Sequence, residues 1–231
     1  EMATLQELLE KVKTYDWGQS RLALTEVSEL IKEAHSSPEE LKKIEKSLLD
    51  VLSSDATLAG KQFICRELSI IGTDESVPVL GNMLTNEETS DMARYALERI
   101  PGTAVNDTLR RALRKAEGKP RVGIINSLGQ RRDGRAVRAL GGLIDNTDQT
   151  VAAAAAAALG QIADSRATEV LATAKDKTSG KLQMVVLDSY LRCADQLVVE
   201  GKKAEALAIY KELQKEDMPK PIRTAALTGM L

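Results

Sequence analysis

Few side chains in this sequence have the types and spacing for chemistry. His35, in KEAHSSPE, is the only histidine. One imidazole builds no Ser-His-Asp or Cys-His constellation and no His-rich metal site. Its place near a predicted helix C-terminus suits capping of carbonyls or contact with water. Cys65 and Cys193 each fall inside an apolar helical pattern, FICREL and YLRCADQL. Two cysteines are too few for a disulfide framework, and both read as small, buried, free thiols. The acidic pairs Glu39-Glu40 and Glu87-Glu88 are adjacent, so their carboxylates diverge on a helix, and acids are ordinary in a first helical turn. GGLI at Gly141-Gly142 has no strand before it and no Lys-Ser/Thr after it, so it is no phosphate loop. Trp17, in YDWGQ, is expected to plug the N-terminal end of the core. These residues imply no catalytic set, no metal site and no cofactor.

The arginines form the one uneven feature. Lys+Arg less Asp+Glu is −5 over residues 1–60, −4 over 61–107, +8 over 108–139 and −1 over 140–231, a total of −2. A basic band therefore lies mid-chain in a mildly acidic protein. In the predicted helix around 104–116, Val105, Leu109, Ala112, Leu113 and Ala116 share one face. Arg111 and Arg114 point the opposite way, with Arg110 beside them. Around 134–145, Ala136, Val137, Leu140 and Ile144 form the apolar face, and Arg135 and Arg138 point outward. A guanidinium offers a planar fork to carboxylate or phosphate. The competing reading is a solvated face with ion pairs to acidic neighbours. A near-neutral total and 3% aromatics argue against nucleic-acid binding, which favours a basic surplus and stacking rings.

Helices must position these residues. The apolar content of this 231-residue chain is Leu, Ala, Val and Ile, with one Phe and one Trp, a composition that favours helix. The longest apolar run, Val151 to Leu159, is far short of the roughly 20 residues a membrane-spanning helix needs. The sequence contains no signal peptide. It opens Glu1-Met2, which reads as a processed or engineered boundary.

Self-comparison gives the organisation. LGQRRDGRAVRAL (Leu128 to Leu140) and LGQIADSRATEVL (Leu159 to Leu171) align at a shift of 31 residues, with seven identities in thirteen positions. LERIPGTAVNDTL (Leu97 to Leu109) and LSIIGTDESVPVL (Leu68 to Leu80) keep the same grammar. Each unit reads as helix, short turn, helix. Leu80, Leu109, Leu140 and Leu171 open the core face of the second helices, which start after Asp74, Gly102, Asp133 and Asp164. Aspartate at such a turn suits an N-cap. Gly72, Gly129 and Gly160 suit a left-handed exit from the first helix. The run Ala152 to Ala158 fits a first helix crowded on several sides, where backbones must approach.

Residues 3–14, 18–35 and 38–53 read as further helices, the last with Ser37 as N-cap, Pro38 at the first position and glutamate as capping-box partner. Residues 179–199 and 202–215 form another pair. The tail PIRTAALTGML (Pro221 to Leu231) reads as the first helix of a unit whose second is missing, so the chain is expected to be part of a longer one.

LGxxxDxxAVxxL, as LGQRRDGRAVRAL, resembles HEAT repeats, most of all the short bacterial type noted in phycobilisome-lyase-related proteins. The likeness is good from about Lys61 to Lys175 and weaker outside. CADQLVVEGKKAEALAIYKEL (Cys193 to Leu213) looks more like a tetratricopeptide unit. The resemblance implies an all-α, right-handed α-solenoid of about six or seven stacked antiparallel helix pairs. Residues 1–56 would be an irregular helical cap, 57–178 HEAT-like repeats and 179–231 a tetratricopeptide-like pair with an incomplete repeat. It implies that second helices line a concave face, where the arginines would lie one repeat apart. It also implies a non-enzymatic scaffold that binds a protein partner, here an acidic one, and it supplies no active site. HEAT-like folds include alkyl-base DNA glycosylases, which keeps nucleic-acid binding as an alternative. A purely structural spacer is the third reading.

Overall fold

A computed structural model describes residues 3–231, so the Glu1-Met2 boundary lies outside the described residues. All regular structure among them is helical. The chain forms two compact units, Glu1–Ile124 and Ile125–Leu231, with the division inside helix α8 (Gly118–Gln130).

Unit 1 opens with α1 (Leu5–Lys13), α2 (Leu22–Glu33) and α3 (Pro38–Leu52). Thr4 and Glu7 close a capping box on α1. Ser37 caps α3 by accepting from the Glu40 N–H, with Pro38 in the first turn as the sequence implies. The Glu40 carboxylate does not complete a box; it accepts from Lys43 Nζ at 2.9 Å. Next come α4 (Leu58–Ile71) with α5 (Val77–Asn82), and α6 (Ser90–Leu97) with α7 (Thr103–Leu113). The turn into α5 is capped by Thr73, not Asp74: the Thr73 hydroxyl accepts from the Glu75 N–H. Glu45 of α3 is 2% exposed and accepts from the Thr73 N–H at 2.7 Å and from the Ser76 hydroxyl at 2.5 Å. A buried carboxylate needs such donors, and this one fixes the turn from 28 residues away.

Unit 2 contains α9 (Val137–Leu143), α10 (Gln149–Ile162), α11 (Ser165–Ala174), α12 (Gly180–Val199), α13 (Lys203–Leu213) and α14 (Lys220–Met230). Asp133 and Asp164 are N-caps as expected, accepting from the N–H groups of Arg135 and Ala167. The alanine-rich α10 packs against α9, α11 and α12. Ala152, Ala155, Ala156 and Ala158 are at most 1% exposed. Methyl side chains let three neighbours close on one helix, and alanine has the best intrinsic helix propensity.

The repeat leucines all reach the core. Leu80, Leu109, Leu140 and Leu171 are all 0% exposed. The repeat glycines act differently from expectation. Gly129 and Gly160 lie inside α8 and α10, and Gly72 is extended at φ −61°. The left-handed residues at the exits are Arg132 and Ala163, both at φ 50°. The glycines instead permit close approach. A Cβ on Gly160 would sit 2.8 Å from Ser189 Cα, and one on Gly129 the same distance from Ala158 Cα.

Both cysteines are free and buried. Burial pushes the Cys65 thiol up to about 12 and raises Cys193 as well.

Candidate functional site

In unit 1, consecutive second helices α5 and α7 leave a groove of about 750 Å3 between them. Its floor follows from the repeat. Val77 of α5 and Ala112 of α7 are buried, while Gly81 lets the Thr108 methyl approach: a Cβ there would lie 2.6 Å from Thr108 Cγ2. The apolar stripe of α7 faces the core, which turns its opposite stripe into the groove wall.

That wall carries Arg111, Arg114 and Lys115. Arg111 Nη2 donates to Thr108 Oγ1 at 2.9 Å, which anchors the side chain and leaves other guanidinium donors for an occupant. Arg114 and Lys115 make no ion pair among the described residues. Two carboxylates, Asp74 and Asp107, also line the groove. Asp107 is bound by Arg110 one turn away on the same helix. The groove thus combines three cations with two carboxylates, one of them already bound by an arginine, and its net positive charge suits an anionic chain of carboxylates or phosphates.

The five arginines of the basic band have separate fates. Arg111 and Arg114 share the groove. Arg110 is committed to Asp107 and is not on the wall. In unit 2, Arg138 lines a smaller groove of about 410 Å3 between α9 and α11, together with Asp145, Glu169 and Lys177. Arg135 is exposed in the turn ahead of α9. Lys115 escaped the sequence reading although a signal existed: it follows Arg111 by four residues and so shares its face.

Other chemistry-bearing side chains are placed for structure. His35 is exposed in the 3-10 turn after α2. Glu39 and Glu40 lie in the first turn of α3, and Gly141-Gly142 lie within α9. Glu87 and Glu88 sit in the turn before α6, where Asn86 Oδ1 accepts from the Glu88 N–H. Trp17 does not plug the core; it is 62% exposed, and Tyr15, 7% exposed, takes the inner place. Lys175 of unit 2 is buried between Asp176 and Glu212, at 2.8 and 2.9 Å. Burial opposes its charge, but hydrogen bonds to both carboxylates outweigh that and hold its pKa above the usual lysine value. Tyr190 donates to the same Glu212 at 3.1 Å, so the cluster is satisfied and joins α11, α12 and α13. No group of three or more His, Cys, Asp or Glu able to hold a metal occurs among the described residues. Nor is any helix there long and apolar enough to cross a membrane.

Tandem helix pairs with a leucine register and grooves between second helices define an α-solenoid. Comparison with known proteins agrees: residues 106–189 match the family model of HEAT repeats. Among solved structures, an archaeal HEAT-like repeats protein from Thermococcus onnurineus NA1 is similar at 16% identity, with a TM-score of 0.55 over 100% of this chain and 97% of that one. An engineered protein is similar at 20% identity and a TM-score of 0.49, over 99% of this chain and 67% of that one. No curated protein sequence matches the chain. HEAT repeats as a class serve as interaction scaffolds and are typically non-enzymatic.

Proposed function

We propose that this protein is a non-enzymatic scaffold that holds an acidic segment of a protein partner in the α5–α7 groove. Arg111 and Arg114 are the forked contacts and Lys115 an added point charge. Arg138 has the same part in the groove of unit 2, and Arg110 and Arg135 add positive field within their own units. The observation that carries this reading is that Arg114 and Lys115, exposed on the groove wall, have no counter-ion of their own. A carboxylate-bearing segment supplies that charge and replaces water on two guanidinium forks. The groove has no ring on its walls for a base to stack on, which favours protein over single-stranded nucleic acid.

Affinity capture from cell lysate compares the wild type with Arg111→Glu/Arg114→Glu/Arg135→Glu/Arg138→Glu, after circular dichroism shows both folded. The expected result is an acidic protein held by the wild type, lost by the variant and weakened by salt. Equal capture by both returns the arginines to a solvated face. Capture of nucleic acid would replace the proposed partner class.

A further inference from the structure

A second groove in unit 1, of about 780 Å3, lies between the α1–α2 turn, α4 and α6, away from the second helices. Its floor is apolar: Tyr15, Leu24 and Phe63 are at most 7% exposed. Its rim carries Trp17 and Tyr95, 62% and 44% exposed, with Arg21 and Arg66 also exposed. Trp, Tyr and Arg are the types that dominate binding energy at protein interfaces.

The rim is held rather than loose. Asp16 Oδ1 accepts from the Trp17 N–H at 2.8 Å, and Gln19 Oε1 accepts from the Asp16 N–H at 3.0 Å. Gly18 takes φ +90°, a conformation costly for other residues, to close that turn. The Arg99 guanidinium stacks 3.7 Å over the Tyr95 ring and also donates to the Tyr95 carbonyl. The Tyr95 ring is thus fixed before an occupant arrives and loses little entropy on contact, and the turn fixes the backbone that carries Trp17.

Charge selects the occupant. Arg21 and Arg66 make no ion pair among the described residues. Of the two carboxylates lining the groove, Asp91 is bound by Arg94, which leaves Glu88. Two unpaired arginines against one carboxylate leave the balance positive, beside two exposed rings. We propose that this groove docks an extended acidic and aliphatic segment of a partner protein, with aliphatic side chains against Trp17 and Tyr95 and carboxylates at Arg21 and Arg66. This site is separate from the α5–α7 groove and does not depend on it.

Trp17 is the only tryptophan, so its emission reports this groove alone. The protein is titrated with the non-fluorescent peptide Ac-Glu-Leu-Asp-Leu-Glu-NH2 and, as control, with Ac-Lys-Leu-Lys-Leu-Lys-NH2. The expected result is a saturable blue shift with the acidic peptide only. Affinity falls about tenfold in Arg21→Glu/Arg66→Glu, checked for fold by circular dichroism, and is unchanged in Arg111→Glu/Arg114→Glu. No emission change with the acidic peptide up to about 1 mM, or an equal response to the basic one, overturns the proposal. A dimer in sedimentation that Trp17→Ala dissociates would assign the groove to a second copy and overturn it as well.

Discussion

Gly160→Ala inverts the usual effect of a glycine-to-alanine change in a helix. Gly160 is inside α10, where alanine propensity alone would add about 1 kcal/mol of stability. The new Cβ would stand 2.7 Å from Ser189 Cβ and 2.8 Å from Ser189 Cα on α12. Carbon atoms prefer about 3.5–4.0 Å, so α10 and α12 must separate by up to about 1 Å at their crossing. One partner atom is backbone, which cannot swing aside. Overpacking of this kind costs about 1–3 kcal/mol, and more where backbone resists. The net expectation is a loss of up to about 2 kcal/mol, or up to roughly 8 °C in melting temperature at this chain length. Gly142→Ala is the matched control. It lies inside α9, and its Cβ would meet nothing within 4 Å, so it should gain up to about 1 kcal/mol. Thermal and urea unfolding followed by circular dichroism compare the two. A Gly160→Ala protein as stable as Gly142→Ala would refute the claim that the repeat glycine serves helix approach.

Other consequences are as direct. Asp164→Ala removes an acceptor 2.7 Å from the Ala167 N–H, and urea unfolding should show a loss of about 1 kcal/mol, whereas Asp164→Asn should lose less. Both thiols should resist a thiol reagent at pH 8 in the native protein and react fully in guanidinium, because burial raises both pKa values; fast native labelling of Cys65 would contradict its burial. Glu67 is buried, and burial holds its carboxyl above the usual value despite the Ser28 hydroxyl bond. A raised carboxyl pKa favours the folded state at low pH, and that contribution fades as pH rises from the unfolded value of 4.5 through the folded one. Glu67→Gln should therefore match the wild type below pH 4.5 and exceed its stability at neutral pH; a variant less stable at pH 7 would show that the charge is needed.

Local rules made part of the fold legible. The caps at Ser37, Asp133 and Asp164 depend on residues two or three positions away, so the sequence displays them. The leucine register was equally visible, because a residue that meets its neighbour repeat recurs at the repeat period. Features whose partner is distant in sequence leave no local signal. Asp74 yielded its cap to Thr73 because Glu45, on another helix, holds the Thr73 turn. Gly129 and Gly160 were read for backbone freedom, yet their partners are Ala158 and Ser189, 29 residues further along. Trp17 faces outward because the Asp16–Gln19 turn directs it there. The α5–α7 groove was half legible: helical spacing exposed Arg111 and Arg114, but the Arg110–Asp107 pair is a choice between rotamers that spacing does not settle.

If the α7 wall binds carboxylates, a simple acidic peptide should bind there. Fluorescence anisotropy of a fluorescein-labelled oligoglutamate peptide, for wild type and for Arg111→Glu/Arg114→Glu/Lys115→Glu at low and high salt, tests it most directly. The expected result is saturable binding that falls about tenfold or more in the variant and weakens as salt screens the charges. Binding of equal strength to both proteins would contradict it.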